Sequence, residues 1–289
     1  MEEMLFACQA VHRGLSSPLL AASSASGSGT PTPLRVADMP FGSIQESLAQ
    51  GTRNAIRFVR DGHADAVKIE GGEEIIPLVK HLSRFGIPVM GHIGLQPQKV
   101  TSTSGYRVQG RTADDAHAIW QQAEALQAAG AFAIVLECIP SKLAEFITQH
   151  LDVPTIGIGA GNKTDGQVLV ISDMVGELTS PAHVLAGLAP PVAQGDAVAA
   201  TQQHQHGDIP RPHPSAPRPP KFVRLFTPGG TTIGALRQAA VMAYVKAVRS
   251  RDFPSDSPAP ADPTTGPPGG ESYKMKKEEW QRFLELVKE

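Results

Sequence analysis

The sequence has 289 residues, enough for one (β/α)8 barrel of roughly 250 residues or for two average domains. Hydrophobic residues make up 41%, which supports a sizeable core, and a net charge of -2 leaves no basic excess to neutralise phosphates, so no nucleic-acid partner is expected. No apolar run approaches the roughly 20 residues a membrane helix needs, which excludes a membrane partner from the expectations.

The chain opens in an amphipathic helix carrying Met4, Leu5, Cys8 and Val11. Residues 23–33 are a Ser/Gly/Thr/Pro stretch that interrupts what would otherwise be an apolar strand, resumed at Leu34–Asp38. Ser43 and Glu46 carry a capping-box signature, and Ile44, Leu48, Ile56 and Val59 recur at helical spacing up to Gly62. Ala64–Glu70 alternates, with Val67 and Ile69 on one face and Lys68 and Glu70 on the other. A helix with Ile75, Ile76, Val79 and Leu82 stops at Gly86, and strand Ile87–Ile93 follows. Thr112 with Asp115 opens a helix using Ile119, Ala123 and Leu126, ended by Gly130. Strand Phe132–Cys138, helix Ser141–Leu151, strand Val153–Ile158 and the apolar run Gln167–Ile171 complete the pattern.

Strand and helix alternate throughout, which predicts parallel strands joined by helical crossovers, in either a doubly wound sheet or a barrel. Six strand candidates fall short of a closed (β/α)8 barrel, so an incomplete barrel or an open sheet is expected. Four segments follow: a partial barrel over 1–176 with a low-complexity insert at about 21–35; a Gln/His/Pro-rich linker over 177–221; a barrel-associated helix within 222–253; and a Pro/Gly-rich linker with a carboxyl-terminal amphipathic helix over 254–289. In that last helix Trp280, Phe283, Leu284 and Val287 share one face.

In such folds functional residues gather at the carboxyl ends of the strands. Here those ends are polar: Asp38, then Lys68 and Glu70, then His92, then Glu137. One such residue is commonly a cap or a solvated charge, but four successive strands ending in titratable groups point to a site. Asp38 and Glu70 would converge, and two carboxylates repel unless a cation or a proton lies between them, a donor set that suits Mg2+. Lys68 shares the face of Glu70 and could hold a substrate carboxylate. Other motifs read as structural. Gly157-Ile158-Gly159-Ala160-Gly161-Asn162 lacks dinucleotide spacing and a following Lys-Ser/Thr, so a tight turn at the rim is expected. His204, His206 and His213 belong to the composition of their linker. Cys138 has no paired His nearby in sequence and reads as a buried, inert thiol. With only Cys8 as its fellow, no disulfide framework is expected.

Val67-Lys68-Ile69-Glu70-Gly71-Gly72, Gly91-His92-Ile93-Gly94-Leu95-Gln96-Pro97-Gln98, Gly105-Tyr106-Arg107-Val108-Gln109-Gly110-Arg111, Leu136-Glu137-Cys138-Ile139-Pro140 and Ile156–Asn162 with Thr164-Asp165-Gly166-Gln167 occur in one order and spacing. Together they resemble the ketopantoate hydroxymethyltransferase family. The resemblance implies a (β/α)8 barrel that transfers a hydroxymethyl group from 5,10-methylenetetrahydrofolate to 3-methyl-2-oxobutanoate, with Mg2+ at the carboxyl ends of the strands. By position it implies that Asp38 binds both metal and keto acid, that Glu70 is a metal ligand, that Lys68 and His92 hold the keto acid, and that Glu137 is the acid/base. The folate-binding residues are not implied by any motif. The resemblance also implies a homo-oligomer and, from relatives, a mitochondrial location, with the cytoplasm the alternative because Met1-Glu2-Glu3-Met4 opens neither a secretory signal nor an Arg-rich transit peptide.

Two departures bear on activity. The family's Val-Gly-Asp-Ser segment, which supplies a further metal-ligand Asp and a substrate-binding Ser, does not occur in this sequence, so the amino-terminal strands of the barrel are expected to be missing. The inserts at about 21–35 and 177–219 do not resemble the family. The alternatives are therefore an inactive member of the family, or a related barrel enzyme of the phosphoenolpyruvate mutase and isocitrate lyase type.

Overall fold

The computed structural model describes residues 1–16, 33–99, 107–175, 232–255 and 272–288. The low-complexity stretches, His204, His206 and His213 lie outside these residues, as does the Gly105-Tyr106 end of one motif. The chain divides into two compact units, one of Met1–Val168 with Pro254–Glu289 and one of Leu169–Phe253.

The first unit begins with helix α1 (Glu2–Leu15) and strand β1 (Val36–Asp38), followed by α2 (Leu48–Arg60) and β2 (Ala66–Glu70). A short 3-10 turn, Glu73–Ile75, leads into α3 (Ile76–Arg84), then β3 (Val89–Gly94) and α4 (Ala113–Ala128). Strand β4 (Ala133–Glu137), α5 (Ser141–His150), β5 (Thr155–Ile158) and the two-residue β6 (Gly166–Gln167) complete the alternation. All pairings are parallel, and the order is β1-β2-β3-β4-β5-β6. A doubly wound sheet reverses its order at a switch point, whereas here each strand pairs with the next in sequence. The sheet curls into a half-barrel, consistent with an incomplete (β/α)8 fold.

The alternation read in β2 places its side chains. Val67 and Ile69, with Val89, Ile93, Ile134 and Leu136 from the neighbouring strands, are fully buried in a core shared with Phe58, Leu82, Leu126, Leu143 and Ile147 of the helices. Lys68 and Glu70 fall between them on the other face. Thr112 caps α4 as expected, its hydroxyl accepting from the Asp115 N–H at 3.2 Å.

Helix α2 departs from its expected start and face. It begins at Leu48, and its cap is Ser47, which accepts from the Gln50 N–H at 3.1 Å. Ser43 instead lies buried in a turn, its N–H bonded to Pro40 O and its carbonyl to the Asn54 side chain. The buried face is Gly51, Ala55 and Phe58, while Leu48, Ile56 and Val59 are exposed. The cause is close approach to α3: a Cβ on Gly51 would lie 2.7 Å from Leu78 Cδ2, so only a small residue can face that neighbour.

Strand β1 is held in register from its start. The Arg35 guanidinium donates twice to Asp65, at 2.9 and 2.8 Å, and the Arg35 backbone N–H donates to the same carboxylate. These bonds pull the Asp65 carboxyl down to about 2. Beyond the barrel strands, the carboxyl-terminal helix α8 (Lys277–Leu286) lies on α4, with Phe283 fully buried between Phe146 and Trp280. The Glu279 carboxylate accepts from the Ala113 N–H at 2.7 Å, supplying an acceptor to the first turn of α4, and Arg282 pairs with Asp114 at 2.8 Å. The second unit contains α6 (Ile171–Met174) and α7 (Ile233–Arg249), the latter capped by Thr232.

Candidate active site

The register of the strands assembles the polar residues. Asp38 lies opposite Lys68 across β1 and β2, Glu70 lies opposite His92 across β2 and β3, and Glu137 ends β4 opposite Gly94. Because neighbouring strands in register present their side chains to the same face, residues far apart in sequence form one continuous row. Lys68 Nζ is 2.9 Å from Asp38 Oδ1, 3.9 Å from Glu70 Oε1 and 3.2 Å from His92 Nδ1. His92 Nδ1 is 3.8 Å from Glu70 Oε1, and its Nε2 is 3.0 Å from Glu137 Oε2. All five residues singled out in the sequence therefore belong to one network.

Its members differ in exposure. Glu70 and His92 are buried, Glu137 and Lys68 are largely covered, and Asp38 is the most open. Two contacts have the distance of an ion pair without the direction of a hydrogen bond: Asp38 Oδ1 and His92 Nε2 are buried and lack a well-directed hydrogen-bond partner. The bonding capacity of both atoms stays open to a ligand. Both carboxylates, Asp38 and Glu70, lean on one ammonium, which offsets the repulsion between them.

A residue whose position was not singled out also shapes the site. The Gln98 N–H donates to Glu70 Oε2 at 3.0 Å, and its side-chain amide donates to Met39 O at 3.0 Å, so it ties together the ends of three strands. Gln98 lies within the Gly91–Gln98 motif, yet nothing in its spacing specifies a backbone donor. Cys138 follows Glu137 in a left-handed backbone conformation, φ 49°. Burial, with a smaller contribution from the Glu137 charge, pushes its thiol up to about 11, which agrees with an inert rather than nucleophilic cysteine. Within the glycine run, Gly157 lies in β5, and Gly159–Gly161 form the turn after it, packed against Cys138 and Ser141.

Parallel strands in sequential order, with an acid, a base and a cation gathered at their carboxyl ends, define a barrel-type enzyme site. A sequence model of the family "Ketopantoate hydroxymethyltransferase" matches residues 1–186. A protein of Anaeromyxobacter sp. (strain Fw109-5), named 3-methyl-2-oxobutanoate hydroxymethyltransferase, is 38% identical over 93% of this chain and 75% of its own length. Proteins of the same name from Desulfotalea psychrophila and Syntrophotalea carbinolica are 49% and 48% identical, over 58% and 64% of this chain and 61% and 64% of their own lengths. The chain belongs to the ketopantoate hydroxymethyltransferase family. It spans less than two thirds of the length of most of the relatives it matches.

Proposed function

We propose that this site binds 3-methyl-2-oxobutanoate and moves the proton on its C3, the step that prepares this carbon to take a hydroxymethyl group from 5,10-methylenetetrahydrofolate. The observation that carries the reading is the single network of Asp38, Lys68, Glu70, His92 and Glu137 on one face of the sheet, together with the names of the relatives. Lys68 and His92 face the keto acid and supply donors to its carboxylate. Glu137 takes the C3 proton, and its contact with His92 Nε2 orients the carboxylate for that transfer. Water releases the methylene carbon of the folate as formaldehyde with both of its carbon–nitrogen bonds broken, the carbanionic C3 bonds to that carbon, and the resulting alkoxide takes back the proton held by Glu137 to give 2-dehydropantoate.

Mg2+ fits the donor set in kind. Asp38 and Glu70 offer hard oxygens, and the open bonding capacity of Asp38 Oδ1 is the atom to which a cation would be drawn. Among the described residues no group of three or more His, Cys, Asp or Glu side chains is arranged to hold a metal, so water or substrate oxygens would complete the set. When bound, the ion supplies positive charge beside the keto oxygen, where negative charge develops.

Replacement of Lys68 tests the substrate half of this reading. A hydrogen bond to a charged group contributes roughly 1.5–3 kcal/mol, so Lys68→Met should weaken keto-acid binding about ten- to hundredfold in calorimetric titration. Unchanged affinity would remove Lys68 from the substrate site.

A further inference from the structure

We infer that Tyr273, from the carboxyl-terminal segment, is a positioning residue for Glu137; this rests on the proton-transfer role proposed above. Glu137 is the last residue of β4, and the next residue turns the chain sharply. Cys138 adopts a left-handed conformation without being glycine, which costs on the order of 1–3 kcal/mol and persists only where the surroundings impose it. Three contacts impose it here. The Cys138 N–H donates to Ile158 O at 2.9 Å, its carbonyl accepts from the Gln109 N–H at 2.9 Å, and its sulfur shares the space over Gly159 with the Tyr273 ring.

Tyr273 is itself pinned. It forms a parallel bridge with Pro140, its carbonyl accepts from the Ser141 N–H at 3.0 Å, and these bonds place it over the turn between β4 and α5. Its ring covers Gly159 at the end of β5, where an added Cβ would lie 3.3 Å from Tyr273 Cε2 and 3.2 Å from Cys138 Sγ. The left-handed φ of Gly159 and the absent side chain make room for ring and thiol together. The backbone and ring of Tyr273 therefore fasten the turn that follows Glu137. The residue that does this, Tyr273, is remote in sequence from the turn it holds.

Cys138 makes the contact measurable without any turnover. With Cys8→Ser, it is the sole thiol of the chain. Tyr273→Ala uncovers it, so alkylation by iodoacetamide at pH 8 should accelerate at least about tenfold. Glu137→Gln removes a charge that disfavours the thiolate. It should speed alkylation when Tyr273 is present and have much less effect in combination with Tyr273→Ala, because the turn no longer fixes the carboxylate beside the sulfur. Tyr273→Phe keeps the ring and the backbone bonds. Tyr273→Ala should slow C3 exchange of 3-methyl-2-oxobutanoate about tenfold with keto-acid affinity unchanged, and Tyr273→Phe should restore most of that loss. If the unsubstituted chain shows no exchange, the functional reading fails, and the alkylation series alone decides the positioning role. An alkylation rate indifferent to Tyr273→Ala, an equal effect of Glu137→Gln with and without Tyr273, or exchange by Tyr273→Ala at the unsubstituted rate would each overturn the inference.

Discussion

Replacing Glu137 by Gln should slow exchange of the C3 proton of 3-methyl-2-oxobutanoate by about a hundredfold or more, the usual contribution of a positioned general base. Gln keeps the shape of the side chain and its place beside His92 Nε2, now 3.0 Å from Glu137 Oε2. Only the proton-accepting capacity is lost. Keto-acid affinity should change little, since Lys68 and the remaining partners stay in place. Proton NMR in D2O reads both quantities on one sample, because deuterium at C3 collapses the methyl doublet. Exchange at the original rate would move the role to another group, and His92 is the first candidate because it contacts both Glu70 and Glu137.

The second large effect concerns stability. Phe283 is fully buried, edge-on to Phe146 at 5.1 Å and stacked on Trp280 at 5.2 Å. Truncating a buried aromatic costs about 3–5 kcal/mol, a large share of the roughly 5–15 kcal/mol by which a domain is stable. Phe283→Ala should therefore lower the urea midpoint strongly. Deleting residues 272–289 should lower it further, since the Glu279 bond to the Ala113 N–H and the Arg282–Asp114 pair are lost as well. A helix of 10 residues has little stability of its own in water, so its order depends on this packing. An unchanged midpoint for both variants would mean that α8 is a free tail rather than part of the core.

Much of this arrangement was legible in the sequence because it depends on periods. The two-residue alternation of Val67-Lys68-Ile69-Glu70 separates core from site, and the strand–helix repeat forces the strand ends to one rim. Asp38, Lys68, Glu70, His92 and Glu137 could be named from those two facts, and the family resemblance assigned them roles. What periodicity missed has a different origin. Helix α2 turns its small residues inward, because Gly51 allows Leu78 of α3 to approach; hydrophobic spacing pointed to Leu48, Ile56 and Val59 instead. Ser43 and Ser47 carry the same capping signal, and only the burial of Ser43 in a turn decides between them. Gln98 acts through its backbone N–H, which no side-chain pattern reports. Tyr273 reaches Cys138 by a bridge to Pro140 between distant parts of the chain, a contact without local signature.

Deuterium incorporation at C3 of 3-methyl-2-oxobutanoate by the unsubstituted chain, followed by proton NMR in D2O with Mg2+ added, tests the central claim most directly. A network in which Glu137 faces a keto acid held by Lys68 and His92 predicts exchange clearly above the buffer rate, without any folate present, and its loss on Glu137→Gln. Exchange no faster than in buffer, from protein shown to be folded, would contradict the claim and make this chain an inactive member of its family.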